Sequence, residues 1–337
     1  MNINDLIKDD TVHVAALPPG NPKGIDGMAS LTLPLIAEDY PAKTAIMWNA
    51  AYHKFGIPDR NCMLVAHTKD VGHIVTVFRS DNRYRGGGIG IGFKEVIMTH
   101  LDEVTPLAQA IGAVNIIKKL PSGRLIGDNT DGVGYTLSLE RIFAQRKRNL
   151  KGARVLMLGA GGSGRAIAFA LADQGARLMI LNRTEQKAKE LAQALNDYFG
   201  VNMAAWGGRS LIPKVLPLQD AVVSVIDDVQ SPLDEYSTLG DMELPITSES
   251  VQKNWEQTAQ LLLGAKPDVI ISDIRIRRSE IPMLTQARHR HMAVLDGIPM
   301  VVNQGAKAFW WLYQNELEGR EVRRADVEEV MRRAATK

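Results

Sequence analysis

The stretch at residues 154–174, RVLML-GAGGSG-RAIAFALADQ, decides the fold of this 337-residue chain. Its first five residues form a short apolar run, which predicts a buried parallel strand. The glycine-rich turn follows at once, and the alanine-rich segment after it predicts a helix that Gly175 can end. A second apolar run at 177–181 completes a βαβ unit of about thirty residues.

The same alternation of strand and helix continues to about residue 297. A helix is predicted at 185–198, and further buried strands are predicted at 221–226, 268–276 and 292–295. Alternating strands and helices are typical of a doubly wound parallel sheet, so we expect an α/β fold here.

Two polar segments interrupt the pattern, and both are interpreted as surface features. The basic stretch 145–152 suits a solvated domain boundary. The stretch 227–250 carries seven acidic residues and no lysine or arginine, so we expect a solvated acidic insertion.

The rest of the chain also mixes helices and strands. Before residue 130, the sequence predicts helices at 48–55 and 101–111 and a strand at 64–67. The chain ends in two predicted helices, at 301–317 and 325–335.

Composition excludes several classes of protein. With 40 basic and 38 acidic residues, the chain lacks the charge excess that nucleic-acid binding favours. The single cysteine, Cys62, excludes a disulfide framework, and no window is apolar enough to predict a membrane span. The histidines form no HExxH motif, and His289 and His291 are interpreted as exposed residues, so no metal is expected. We therefore expect a cytoplasmic protein with a small-molecule substrate, and its oligomeric state is left open, a homodimer included.

The glycine turn fits the dinucleotide-binding pattern G-x-G-x-x-G. Gly159 permits the tight turn, Gly161 lets the backbone approach a pyrophosphate, and Gly164 lets helix and strand pack closely. The helix N-terminus offers free N–H groups and a positive dipole end to phosphates. We therefore predict that a dinucleotide binds the whole turn, the alternative being a plain tight turn, with these residues: Gly159, Ala160, Gly161, Gly162, Ser163 and Gly164.

The end of the second strand predicts NADP rather than NAD. An NAD site usually places an acid there for the ribose 2′-hydroxyl, whereas this strand ends in Asn182, Arg183 and Thr184. Arg183 can pair with a 2′-phosphate, and Lys187 can add positive charge. Glu185 weighs against this prediction, and the alternative is that Arg183 is simply a surface arginine. Gly297 is also assigned to the cofactor site.

At this point the sequence resembles the shikimate and quinate dehydrogenases. The motifs that carry the resemblance are GAGGSGRAI with NRT, GAVN at 112–115, GDNTDGV at 127–133, VNQGA at 302–306, and NAAY at 49–52 with Ile57. The likeness extends over most of residues 31–317.

The resemblance implies a catalytic pair, Lys94 and Asp131. Oxidation of a secondary alcohol needs a group that accepts the hydroxyl proton as the hydride leaves, and a suitably placed lysine can do so. The aspartate would hold the hydroxyl and the lysine in place, while Asn115 and Gln304 would bind further substrate oxygens. Without the motif spacings, Lys94 could equally be an exposed lysine on a helix, and Asp131 could be a helix N-cap.

The resemblance also implies the domain organisation. We expect a Rossmann-type NADP-binding domain at 132–297, inserted into a substrate domain formed by 1–131 and 298–337. The C-terminal helices would thus return to the N-terminal α/β domain.

The sequence departs from the family where the substrate carboxylate is bound. The family has two serines in P-[IV]-x-H-S-x-S-P. Here, alignment on Pro34 and Pro41 replaces them by Glu38 and Tyr40, the register we prefer. The other register, counted back from Asn49, places Ala42 and Thr44 there. In the first register, Glu38 would repel a carboxylate.

Other substrate contacts of the family are also absent. Its N-V-T-x-P before the lysine is replaced by the glycine-rich stretch 88–92, which removes polar groups and is expected to loosen the backbone. A family tyrosine corresponds to Ile276, and the Asn-Ala-Thr after the strand at 221–226 is missing. The sequence therefore predicts an NADP-dependent dehydrogenase of a cyclic polyol related to shikimate or quinate, but not of shikimate itself. The alternatives are a genuine shikimate or quinate dehydrogenase with divergent carboxylate contacts, and a non-catalytic NADP-binding sensor.

Overall fold

The computed structural model describes residues 2–226, 235–242, 245–276 and 281–336. The described helices are α1 (Ile3–Lys8), α2 (Thr44–Phe55), α3 (Val71–Ser80), α4 (Pro106–Ile111), α5 (Asp131–Gln145), α6 (Gly162–Asp173), α7 (Glu185–Phe199), α8 (Ile212–Val215), α9 (Ser248–Gly264), α10 (Pro282–His289), α11 (Gly297–Glu318) and α12 (Arg324–Ala335).

The described strands are β1 (Val12–Val14), β2 (Leu31–Thr32), β3 (Leu35–Ile36), β4 (Arg60–Asn61), β5 (Leu64–Ala66), β6 (Tyr84–Gly88), β7 (Glu103–Val104), β8 (Ile116–Lys119), β9 (Leu125–Asp128), β10 (Arg154–Leu158), β11 (Arg177–Leu181), β12 (Ala204–Gly207), β13 (Ala221–Ser224), β14 (Ile270–Asp273) and β15 (Ala293–Leu295). The α/β fold class predicted from the sequence is confirmed. None of the described helices combines the length and the apolar composition that crossing a bilayer requires.

The chain divides into two compact units. The first comprises Met1–Gly134 and Val301–Lys337, and the second comprises Tyr135–Met300. The basic stretch 145–152 therefore lies inside the second unit rather than at a boundary. Most of this stretch is exposed, as expected for a solvated run, but Arg148 is half-buried and forms ion pairs with Asp220 and Asp268 at 2.6 and 2.7 Å.

The second unit is built on a parallel six-stranded sheet with the order β12-β11-β10-β13-β14-β15. The chain proceeds outward from β10 through β11 and β12, then crosses back to β13 beside β10. The carboxyl ends of β10 and β13 thus form the switch point at which doubly wound sheets bind ligands. The sequence did not predict β12, because Ala205 and Trp206 of this edge strand are exposed and the strand lacks an apolar run.

The first unit contains a mixed six-stranded sheet, β4-β2-β6-β8-β9-β7, and a three-stranded sheet, β1-β5-β3. Its C-terminal part packs by aromatic contacts onto α2. Phe309 and Tyr313 of α11 lie 5.1 and 5.5 Å from the ring of Tyr52, and Phe309 lies 5.3 Å from Trp48. The end of the chain is thereby held in the same unit as its beginning.

Two further sequence-based expectations need correction. The helix predicted at 101–111 is only α4, because Thr105 caps a helix whose first residue is Pro106, while the preceding residues form β7. The acidic stretch 227–250 is only partly solvated where it is described, since Glu235, Asp241 and Glu249 are exposed but the residues between the first two are not. Residues 236–240 are buried, and α9 begins within the stretch at Ser248. The remainder of that stretch includes 227–234 and 243–244, which lie outside the described residues.

Candidate active site

Lys94 lies in a turn that follows β6 in the first unit. The fully buried Phe93 anchors this turn, and the backbone carbonyl of Lys94 accepts a hydrogen bond of 2.8 Å from Val114. The side chain of Lys94 is 24% exposed. Packing on both sides of the turn thus holds the ammonium group in place while solvent or a ligand can still reach it.

Asp131 is the first residue of α5, directly after the loop that follows β9, and its side chain is only 4% exposed. Lys94 Nζ donates a 2.5 Å hydrogen bond to Asp131 Oδ2, and Asn115 Nδ2 donates one of 2.6 Å to Oδ1. Both carboxylate oxygens therefore have a partner, and the buried charge is neutralised by the lysine.

The loop before Asp131 fixes Asn115 as well. The backbone N–H of Thr130 donates to Asn115 Oδ1 at 2.8 Å, and Asn115 Nδ2 donates to Thr130 Oγ1 at 3.1 Å. Asn129 Oδ1 accepts from the backbone N–H of Asp131 at 3.1 Å. Sequence reasoning did not assign roles to Asn129 and Thr130, although both stand within the GDNTDG motif that would have indicated them.

This arrangement can bind a hydroxyl or carbonyl oxygen and exchange a proton with it, the Lys94 amine accepting the proton and the ammonium donating it. The Lys94 ammonium carries three donors, and the hydrogen bonds of the described residues use one of them. A substrate oxygen can therefore contact Nζ while Asp131 and Asn115 keep the amine oriented.

The Tyr40 hydroxyl lies beside Gly90, in the glycine-rich stretch before Lys94. Tyr40 is half-buried and packs against the small apolar cluster that includes Ile36 and Ala42. Burial, followed by the negative charge of Asp131, raises the pKa of Tyr40 to about 12. The hydroxyl is therefore protonated at neutral pH and can donate a hydrogen bond.

The structure does not bring every predicted substrate-binding residue to the Lys94–Asp131 pair. Glu38 is exposed, and Thr44 is the half-buried first residue of α2. Gln304 lies on α11, where its Oε1 is buried and accepts no hydrogen bond from the described residues. These three side chains are not part of the hydrogen-bonded group formed by the described residues around Asp131. An unpartnered buried amide oxygen such as that of Gln304 suits a ligand donor.

The glycine turn of the second unit has the form of a phosphate cradle. Gly161 is the N-cap of α6, and no side chain of the described residues caps this end. A β-carbon at Gly161 would meet no described atom within 4 Å, whereas one at Gly164 would lie 2.8 Å from Val225 Cγ2. Gly159 has a φ of 111°, which favours glycine. The open, uncapped N–H groups at Gly161 and Gly162 thus fit a pyrophosphate.

The neighbouring strand end carries the predicted cationic groups. Arg183, Thr184 and Lys187 are exposed after β11, while the half-buried Asn182 donates a 2.9 Å hydrogen bond to the carbonyl of Thr184. Gly297 has a packing role, because a β-carbon there would overlap the carbonyl oxygen of Ile274.

Two alanine substitutions should separate cofactor binding from folding. Gly161→Ala has an ordinary backbone conformation and open space, so we expect unchanged thermal stability but dinucleotide binding weakened by about tenfold or more. Gly164→Ala should instead lower the melting temperature, because its methyl group meets Val225. Differential scanning fluorimetry and NADP titration measure both effects. Equal NADP affinity of wild type and Gly161→Ala would contradict the prediction that this turn binds the pyrophosphate.

The comparisons with known proteins agree with these motifs. Residues 41–117 match the shikimate dehydrogenase substrate binding domain, and residues 141–231 match shikimate / quinate 5-dehydrogenase. The chain is 32% identical over 267 residues to the shikimate dehydrogenase (NADP(+)) of Shouchella clausii strain KSM-K16, covering 79% of this chain and 86% of that protein.

Solved structures give the same result. A shikimate dehydrogenase in complex with NADP+ is 25% identical, with a TM-score of 0.71 and coverage of 95% of this chain and 98% of that one. The ligand-free 5-ketofructose reductase of Gluconobacter sp. strain CHM43 is 25% identical, with a TM-score of 0.67 and coverage of 90% and 98%. The chain therefore belongs to the shikimate/quinate dehydrogenase family, and it is an oxidoreductase that acts on a CH–OH donor.

Proposed function

We propose that this protein is a cytoplasmic dehydrogenase that uses NADP to oxidise, reversibly, a secondary alcohol of a cyclic polyol related to shikimate or quinate. The observation that carries the proposal is the Lys94–Asp131 pair, held at 2.5 Å and braced by Asn115. We assign substrate binding to the first unit and NADP binding to the second.

In the proposed mechanism, Lys94 moves the proton. The unprotonated amine accepts the hydroxyl proton as the carbinol carbon loses its hydride and becomes a carbonyl carbon, and Asp131 stabilises the ammonium that forms. In the reverse direction, the ammonium donates the proton to the carbonyl oxygen while the carbon gains the hydride. NADP, when bound, supplies the hydride acceptor or donor.

The cofactor would be held by the second unit. The turn at 159–164 would bind the pyrophosphate, and Arg183 and Lys187 would bind the 2′-phosphate. NADP is favoured over NAD because no acidic side chain occupies the last position of β11 or the residue after it. The shikimate dehydrogenases among the relatives are themselves named for NADP(+).

The substrate is proposed to differ from shikimate because much of the family's substrate-binding shell has changed while Lys94 and Asp131 remain. Other residues stand in place of the two serines, the polar residues before the lysine and the late tyrosine. A structural relative named as a reductase of 5-ketofructose is consistent with a wider range of polyol substrates in proteins of this fold. The names of the curated relatives favour the second candidate, an ordinary shikimate or quinate dehydrogenase with divergent carboxylate contacts.

A substrate screen tests both candidates. The pure protein is given shikimate, quinate, aminated analogues and other cyclitols with NADP or NAD, and NADPH or NADH absorbance is recorded. We expect turnover of a polyol other than shikimate, with kcat/KM at least about tenfold higher for NADP than for NAD, since a charge-assisted pair at the 2′-phosphate contributes about 1.5–3 kcal/mol. Efficient oxidation of shikimate would establish the second candidate instead, and equal use of NAD would overturn the cofactor preference.

A further inference from the structure

The glycines before Lys94 pack closely against the segment that carries Tyr40. A β-carbon at Gly90 would lie 2.6 Å from Ile36 Cγ2 and 3.1 Å from the Tyr40 hydroxyl oxygen. One at Gly92, whose φ is 86°, would lie 2.6 Å from Ala37 Cβ. The expectation that these glycines loosen the backbone is therefore wrong. Their small size lets the segment 36–40 approach the strand end.

Backbone hydrogen bonds join the two segments to each other and to the site. The N–H of Gly90 donates to the carbonyl of Leu35 at 2.9 Å, and that of Ala37 donates to the carbonyl of Ile91 at 3.0 Å. The N–H of Ile89 donates to the carbonyl of Asn115 at 2.7 Å. The segment that leads to Tyr40 is thus tied to the strand end beside Asn115.

The charges near Tyr40 disfavour a second carboxylate. Lys94 balances the charge of Asp131, so Asp131 adds little net repulsion. Glu38 and Asp39 precede Tyr40 directly and add two negative groups to the segment. A substrate carboxylate beside Tyr40 would therefore be repelled, whereas a hydroxyl or carbonyl oxygen could accept the hydrogen bond of the phenol.

We propose that Tyr40, in the space left by Gly90, is a specificity-determining residue that selects an uncharged polyol or keto sugar over a ring acid. This inference rests on the proposed function and names the substrate class of the same site. Gly90 acts through the segment that carries Tyr40, because a methyl group at position 90 would overlap Ile36 and crowd the tyrosine hydroxyl.

The test compares neutral and acidic probes in matched variants. Wild type, Tyr40→Ser, Tyr40→Phe and Gly90→Ala are assayed with 5-keto-D-fructose and myo-inositol, and with shikimate and quinate, using NADPH or NADP+. Gly24→Ala is the control for Gly90→Ala, because Gly24 has open space around it. Circular dichroism verifies that each variant folds.

We expect wild type to prefer a neutral probe. Tyr40→Ser should raise the ratio of kcat/KM for the acids to kcat/KM for the neutral probe by about tenfold or more, equivalent to about 1.4 kcal/mol, because removing the ring frees space for a carboxylate and leaves a hydroxyl donor. Tyr40→Phe should raise KM for the neutral probe by about three- to tenfold, at nearly constant kcat, through loss of one neutral hydrogen bond. Gly90→Ala should also raise that KM, and Gly24→Ala should not.

The outcomes separate this inference from the proposed function. If the wild-type enzyme turns over a polyol but Tyr40→Ser leaves the ratio unchanged, or if wild type prefers the acids, the inference is overturned and the dehydrogenase remains. If no probe is turned over by wild type or by any variant, both are rejected. If Tyr40→Ser does not fold, the test rests on Tyr40→Phe. An unchanged KM of Tyr40→Phe for the neutral probe then overturns the inference.

Discussion

Replacing Lys94 with alanine is expected to lower kcat by about 10²- to 10⁴-fold, the usual contribution of a positioned general acid or base. The variant lacks the amine that accepts the hydroxyl proton, and the 2.5 Å contact with Asp131 is lost. Binding of NADP should be unchanged, because the proposed cofactor groups belong to the second unit.

Kinetics and cofactor titration measure the two expectations separately. Lys54→Ala, which removes an exposed lysine from α2 of the same unit, is the control and should retain full activity. Asp131→Asn should also reduce kcat, since the amide cannot stabilise the ammonium. If Lys94→Ala keeps turnover within about threefold of wild type, Lys94 is not the proton acceptor.

The second large effect concerns the stability of the second unit. Arg275 and Asp273 form a fully buried ion pair at the end of β14, with side-chain exposures of 1% and 0%. Arg275 donates to Asp273 Oδ1 from its Nε at 2.9 Å and to Oδ2 from Nη2 at 2.8 Å. Arg275→Met should lower the free energy of unfolding by about 3–5 kcal/mol, because Asp273 is left as a buried charge without its cation.

Urea denaturation followed by circular dichroism measures this loss. The double variant Asp273→Leu/Arg275→Met should recover most of it, since removing both charges removes the desolvation penalty of each. Arg333→Met, which breaks an exposed pair with Glu329, should cost at most about 1 kcal/mol. A loss of under about 1 kcal/mol for Arg275→Met would show that the pair does not stabilise the unit.

The proposed catalytic residues were accessible from the sequence because they match positions of the family that the sequence resembles. GAVN supplies Asn115 and GDNTDG supplies Asp131, and the turn at 91–95 supplies Lys94. Asn129 and Thr130 also form hydrogen bonds in this group, to partners 16 and 15 residues away in the other motif, and these contacts were visible only in the structure.

Elements without a strong apolar run were harder to predict. The edge strand β12 and the two-residue strand β7 are partly exposed, so their residues show little hydrophobic pattern. Residues 236–240 have the polar composition of a surface loop, yet Arg209 donates hydrogen bonds to the carbonyls of Thr238 and Gly240 and Asn254 donates to that of Ser237. Burial here follows from partners that are distant in sequence.

The sequence by itself determined the family, the dinucleotide turn and the Lys94–Asp131 pair, because contiguous motifs carry them. It left two registers open for the segment 34–49, and it could not explain the glycines at 86–92. Only the tertiary structure showed that the Tyr40 hydroxyl packs against Gly90 and that the charge of Asp131 contributes to its raised pKa. The physical reason is that the contact between the segment 36–40 and Gly90 depends on which backbone segments pack together. A local sequence pattern does not determine this packing.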